Sequence, residues 1–182
     1  IAFSGDGEPT MIHNFAECVE TVVEVQQSEG LDETKIVLIT DAAGLDKADV
    51  KRGLKLMDTH HGEIWGKLDA GTEDYYREVN RSNVKFDRIL SNLLETARAR
   101  PIIIQSLFLK VHRQAMPAAE LEAYCGRLND LTESGGQISE VHLYTVARPT
   151  PEAFAMKLEL AELENMAAAV REQTGLTVAV FP

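Results

Sequence analysis

Six apolar, β-favouring runs punctuate the chain: Ile1–Ser4, Lys35–Thr40, Glu63–Asp69, Pro101–Lys110, Glu140–Ala147 and Leu176–Phe181. Longer stretches with helical periodicity lie between them. Within Asn14–Ser28 the apolar positions are Phe15, Val19, Val22, Val23 and Val25. Within Lys85–Arg100, Phe86, Ile89, Leu90, Leu93, Leu94 and Ala97 form a stripe at i, i+3, i+4 spacing, which predicts an amphipathic helix. Glu152–Thr174, rich in Ala, Leu and Glu, predicts a long helix stopped by Gly175. Thr72 is placed to cap a short helix whose first turn carries Glu73 and Asp74. No repeat or low-complexity tract divides the chain.

Strands separated by helices need crossovers, and crossovers of this length build a parallel sheet. The strand runs are continuous rather than alternating, as a sheet covered on its helical face requires. This pattern allows a doubly wound open sheet or a full or partial β/α barrel. Both bind ligands at the carboxyl ends of their strands, so those ends are where chemistry is sought.

Composition narrows the classes. The 182 residues are 45% hydrophobic, enough for one sizeable core, and the net charge is −11. That charge makes a nucleic-acid surface unexpected, since phosphate binding needs a basic patch. No stretch approaches the ~20 apolar residues of a membrane span, and none reads as a charged-then-apolar leader. The two cysteines, Cys18 and Cys125, lie far apart on expected helices. They form neither a disulfide framework nor a metal-ligand spacing, and they suit a reducing compartment, so a cytoplasmic location is expected. Their simplest role is as small core residues.

The strand ends carry the candidate chemistry. After the first run comes Gly5-Asp6-Gly7-Glu8-Pro9. Its glycines let a ligand approach the backbone, and Pro9 stiffens the exit. Such a turn can offer amides to an anion or carbonyls to a cation, or simply lead into the helix. Thr10 stands where the third glycine of a dinucleotide fingerprint would fall, and no Gly-Lys-Ser/Thr follows to make a P-loop. The third run ends Trp65-Gly66-Lys67-Leu68-Asp69. Two-residue periodicity puts Trp65, Lys67 and Asp69 on one face. Lys67 can then donate to a ligand oxygen while Asp69 accepts from hydroxyls; alternatively the two form an internal ion pair. The second run ends at Thr40-Asp41, the fourth passes through Gln105-Ser106, and the fifth ends Val146-Ala147-Arg148, where the arginine suits a carboxylate. His60 and His61 read as an exposed turn.

The stretch "FSGDGEPT" closely resembles the Gly-Gly-Glu-Pro motif of the radical S-adenosylmethionine (SAM) superfamily, matching at Gly5, Asp6, Gly7, Glu8 and Pro9. In that family the turn ends the second barrel strand and receives the amino group of SAM's methionine moiety. "WGKLDAGTEDYYREVNR" resembles the family's fourth strand, which contacts the ribose or methionine carboxylate. "PIIIQSLFLK" and "EVHLYTVARPTPE" resemble the fifth and the sixth, the latter lining the adenine pocket. Thr40-Asp41-Ala42 departs from the Thr-Asn-Gly common in relatives. The resemblance implies an α/β fold, a partial (β/α) barrel of the radical SAM type with parallel strands and its first βα unit missing. Residues 1–150 would form the barrel part, and 151–182 a helix and strand that extend or cover it. The implied cofactor contacts are Gly5, Asp6, Gly7, Glu8, Pro9, Thr40, Asp41, Lys67, Asp69, Gln105, Ser106, Val146, Ala147 and Arg148.

One departure bears on chemistry. The family holds a 4Fe-4S iron–sulfur cluster on a Cys-x-x-x-Cys-x-x-Cys loop after its first strand, and nothing here matches that loop. The resemblance therefore implies a parent oxidoreductase that cleaves SAM reductively and abstracts hydrogen from a small-molecule or peptide substrate, of which this chain is a cluster-less, inactive piece. Its bare strand edge at Ile1–Ser4 predicts self-association. The competing reading is a non-catalytic α/β domain that binds a nucleotide-like metabolite or a protein partner.

Overall fold

The apolar runs pair edge to edge in the order in which they occur along the chain. The computed structural model describes every residue except Asp6, Pro149 and Pro151. Its elements are β1 (Ala2–Phe3), a 3-10 turn (Pro9–Met11), α1 (Phe15–Ser28), β2 (Ile36–Thr40), α2 (Ala48–Met57), β3 (Gly62–Lys67), α3 (Glu73–Val79) and α4 (Phe86–Ala99). There follow β4 (Ile102–Leu107), β5 (Lys110–Val111), α5 (Ala118–Glu133), β6 (Ile138–Tyr144), β7 (Ala155–Met156), α6 (Leu160–Thr174) and β8 (Val178–Phe181).

One six-stranded sheet runs β1-β2-β3-β4-β6-β8, and every neighbouring pair in it is parallel. This is a mixed α/β architecture. A doubly wound sheet needs a point at which strand order reverses, and this order has none. Right-handed crossovers taken in strict sequence lay the helices on one side, and burial follows. Ile36, Leu38, Ile64, Ile102, Ile104, Val141, Leu143 and Val178 point to that side and are packed with the helices into one core. The register sets their neighbours Val37, Ile39, Trp65, Ile103 and Gln105 together on the other face, where each is only half buried. On that face His142 sits edge-on between Trp65, 4.9 Å away, and Phe181, 5.1 Å away.

Local chemistry sets the helix boundaries. Thr72 caps α3, its Oγ1 accepting from the Tyr75 N–H at 3.3 Å, as expected. The helix expected over Glu152–Thr174 instead starts at Leu160. Ala155–Met156 pairs antiparallel with Lys110–Val111, and the helix begins at a reciprocal capping box between Glu159 and Glu162. Gly175, at φ +69°, closes it in the left-handed conformation that glycine adopts without strain. Within 151–182, β8 pairs with β6 and so completes the same sheet. The expected fourth strand also ends early, at Leu107, because Lys110–Val111 leaves the sheet for the small β5–β7 clip.

Candidate functional site

The carboxyl ends of β1 and β2 are joined by one carboxylate. Glu8 Oε1 accepts from the Thr10 N–H (3.0 Å), the Thr10 hydroxyl (2.6 Å) and the Thr40 hydroxyl (2.6 Å). Its Oε2 accepts from the Asp41 N–H at 2.7 Å. Burial alone would raise the Glu8 pKa, but these bonds outweigh it and hold the carboxyl below its ordinary value. Pro9 opens the 3-10 turn behind it. Gly44 packs so closely on this turn that a Cβ there would lie 2.7 Å from the Thr10 carbonyl. Gly5 and Gly7 are exposed, with open space where a side chain would stand. Asp6 lies outside the described residues.

Beyond Thr40 the chain turns on Ala42, a buried residue at φ +67°. The Asp41 Oδ1 accepts from the Ala43 N–H at 2.8 Å, and the Ala42 carbonyl accepts from Asn92 Nδ2 at 2.8 Å. Partial burial, with the nearby Glu8 charge adding to it, raises the Asp41 carboxyl.

The carboxyl end of β3 is the centre of the site. A cavity of about 260 Å³ opens there, lined by Asp41, Lys67, Asp69, Tyr76, Asn80 and Tyr144 among others. Its apolar wall includes Leu68, Phe86, Ile89 and Leu107, and Tyr76 stacks on Phe86 at 5.0 Å. Asp69 is buried. One of its oxygens accepts from the Leu107 N–H at 2.7 Å and the other from Asn80 Nδ2 at 2.7 Å. Burial dominates and raises its pKa against these bonds. Burial also raises the phenols of Tyr76 and Tyr144. Lys67 makes no salt bridge among the described residues, so the internal ion pair with Asp69 does not form and the ammonium stays available to a ligand. Glu120 fixes the turn that follows, accepting from the N–H groups of Gly71 (2.6 Å) and Thr72 (3.0 Å). Gly71 is required there, since a Cβ would come within 2.1 Å of the Tyr124 nitrogen.

The expected residues are thus partly brought together. Asp41, Lys67 and Asp69 share the cavity, and Glu8 and Thr40 buttress its edge. Gln105 stands beside Lys67 in the register, on the same face. Ser106 corrects the expectation of a ligand contact: it is buried on the helical side, its hydroxyl donating to the Leu68 carbonyl (2.6 Å) and bonded to the Tyr124 hydroxyl (2.7 Å). Val146, Ala147 and Arg148 follow β6 at the same end of the sheet but do not line the cavity. The sequence reading assigned no role to Asn80, Tyr76 or Tyr144. The available signal was their position: Tyr144 ends a strand, and Tyr76 and Asn80 lie on and just after a helix that starts at a strand's carboxyl end.

Larger hollows lie elsewhere. One of about 570 Å³ sits at the amino ends of β3, β4 and β6, lined by Gly62, Pro101, Ser139 and the Arg100–Asp58 ion pair. Another of about 620 Å³ lies beside the β5–β7 clip. The first lies at the opposite end of the sheet from the candidate cavity, whereas the second is formed by the loops that follow β4 and β6.

Among the described residues no group of three His, Cys, Asp or Glu side chains is placed to hold a metal ion. Cys18 is half buried in α1 and Cys125 is buried in α5. The iron–sulfur cluster implied by the resemblance therefore does not fit the residues present. Among the same residues no helix is long and apolar enough to cross a membrane.

No family model matches the chain, and no curated protein sequence does either. Among solved structures, the chain is similar to Streptococcus suis SuiB bound to S-adenosylmethionine, with a TM-score of 0.69 at 14% identity. That match covers 97% of this chain and 38% of the SuiB chain. A further crystal structure of Streptococcus suis SuiB matches with a TM-score of 0.68, also at 14% identity. The chain spans well under half the length of these SuiB chains, and what it shares with them is the fold.

Proposed function

We propose that the chain is the S-adenosylmethionine-binding part of a radical SAM protein, its sheet being a portion of a β/α barrel. The observation that carries this reading is the cavity at the end of β3, with Asp41, Lys67 and Asp69 on its wall and the Gly-Asp-Gly-Glu-Pro turn tied to its edge through Glu8. An all-parallel sheet in sequence order supports it, as does the fold shared with an S-adenosylmethionine-bound SuiB. The cavity's polar wall and apolar floor suit a nucleoside-bearing ligand.

The residues divide the work. Lys67 meets the ligand's carboxylate, Asp41 faces its ammonium, and Phe86, Ile89 and Leu107 exclude water from the buried part. Glu8 keeps the turn and the end of β2 in register. S-adenosylmethionine supplies a sulfonium whose reductive cleavage initiates hydrogen abstraction in the family; on this reading the iron–sulfur cluster is held by residues other than those of this chain, which supplies binding and orientation. The substrate class stays as expected, a small molecule or peptide, in a reducing, cytoplasmic setting.

Calorimetric titration of the chain with S-adenosylmethionine tests the reading. One-to-one binding, weakened about tenfold (~1.4 kcal/mol) in Lys67→Met, is expected; no binding would overturn it. A binding-only domain is favoured by one observation, the pair of cysteines on separate helices. It is distinguished by the longer protein: radical chemistry requires that S-adenosylmethionine be consumed there under reducing conditions.

A further inference from the structure

We propose that the hollow beside the β5–β7 clip is a docking site for an acidic peptide. A carboxylate side chain of the peptide meets Arg113 and His112, while its apolar side chains cover Phe154 and Met156. The inference rests on this hollow alone and goes beyond the reading of the β3-end cavity.

Charge is unevenly spread along the chain. Acids outnumber Lys and Arg by 29 to 18, yet no Asp or Glu lies between Glu95 and Glu120, or between Glu140 and Glu152. Those two stretches contain the loops after β4 and β6 that form the hollow. The acid on its wall, Glu152, is held by Arg81 at 2.7 Å, and Lys110 is held by Glu162 at 2.7 Å. Arg113 and His112 are exposed and make no salt bridge among the described residues. Between them and Arg81 stands Phe154, with the His112 ring 5.4 Å from its own and the Arg81 guanidinium 6.0 Å from its centre.

The backbone presents these two side chains against its own preference. Val111 and Gln114 exchange both backbone hydrogen bonds, each at 2.9 Å, around the pair His112-Arg113. Both residues of the pair have positive φ, +49° and +69°, which is the type I′ form that favours Asn-Gly. A side chain kept in left-handed backbone points to a use for that side chain.

The surroundings select the occupant. Two unpaired cations are too few to follow a phosphate backbone, which is bound through many contacts. A small inorganic anion would leave Met156, 41% exposed, uncovered. An extended ligand carrying both carboxylates and apolar side chains matches both features, and a flexible thioether packs well against such a partner. The Ala155 N–H and carbonyl, which an added strand would need, are taken by the Glu152 carbonyl (3.1 Å) and the Thr150 hydroxyl (3.0 Å). Recognition therefore falls to side chains.

The test is fluorescence anisotropy without S-adenosylmethionine, using a labelled peptide that repeats Glu-Glu-Leu-Glu and its counterparts with Gln or Lys at every Glu. The acidic peptide should bind one-to-one, about tenfold or more tighter than the Gln form, and should weaken as salt rises. Replacing the turn by its preferred pair, His112→Asn with Arg113→Gly, should raise the melting temperature yet weaken the acidic peptide about tenfold. Lys55→Gln, on α2 at the other end of the sheet, should leave binding unchanged. Equal binding of all three peptides, or of none, would overturn the proposal. So would an equal loss in Lys55→Gln, which would assign the effect to net charge, or a lowered melting temperature in the turn variant, which would assign the pair a structural role. Tighter binding of a single-stranded oligodeoxythymidylate than of the acidic peptide would give the patch to nucleic acid instead.

Discussion

Glu8 and Asp69 both follow a strand of the same sheet, yet they sit in opposite electrostatic states. Glu8 accepts four hydrogen bonds from the Thr10 and Thr40 hydroxyls and two backbone N–H groups, and its pKa is lowered. Asp69 is more deeply buried, accepts two, and its pKa is raised. The charge on Glu8 is solvated by the protein and serves as a tie between two loops. The charge on Asp69 is under-solvated, and the amide it holds carries a carbonyl oxygen with no partner among the described residues. Two carboxylates that look alike in the sequence thus separate into a tie between loops and a buried, under-solvated group on the cavity wall.

The largest break in this comparison is Glu8→Ala. It strips the acceptor from four donors around a partly buried turn and should cost about 2–4 kcal/mol, seen as a lower denaturation midpoint in urea. Asp69→Asn should act the other way. The substitution removes a buried, under-solvated charge, and the protein should gain about 1 kcal/mol at neutral pH.

The two carboxylates also tilt the pH dependence of stability in opposite senses. Glu8, with a lowered folded pKa, contributes stability above its unfolded value of about 4.3 and loses it as pH falls through the folded value. Asp69, with a raised folded pKa, contributes fully below its unfolded value of about 3.9 and loses that contribution as pH rises through the folded value. Urea titrations across pH should therefore show Glu8→Gln flattening the acid limb and Asp69→Asn flattening the decline on the alkaline side of the carboxylate range. A profile unchanged by either substitution would show that the two environments do not differ as described.

A smaller gain is expected at Ala42. Its φ of +67° is a left-handed conformation that a Cβ disfavours, so Ala42→Gly should stabilise by roughly 0.5–1 kcal/mol, read as a raised melting temperature. The smallest effect on stability belongs to Lys67→Met. With no salt bridge to lose among the described residues, stability should stay within about 0.5 kcal/mol, while on the function proposed above S-adenosylmethionine affinity carries the change.

Much of this frame was legible along the chain. Runs such as KIVLIT and PIIIQSLF mark strands by β-branched continuity, and Thr72 and Gly175 mark a helix start and a helix end by capping chemistry. Misreadings arose where a distant partner intervened. Ala155–Met156 has helical composition but is taken by Lys110–Val111, far away in the chain. Ser106 sits near a strand end yet lies on the face that packs against Tyr124 of α5.

The sequence by itself determined the alternation of elements and the parallel class of the sheet, because periodicity and capping depend on residues a few positions apart. Tertiary structure alone decided which polar atoms at the strand ends are paired, and with what. The Asp69 oxygens are engaged by Asn80 and Leu107, and the Glu8 oxygens by Thr10, Thr40 and Asp41. A polar group pairs with whichever donor the fold brings within about 3 Å, and that pairing is a property of the packed loops, which no local pattern encodes.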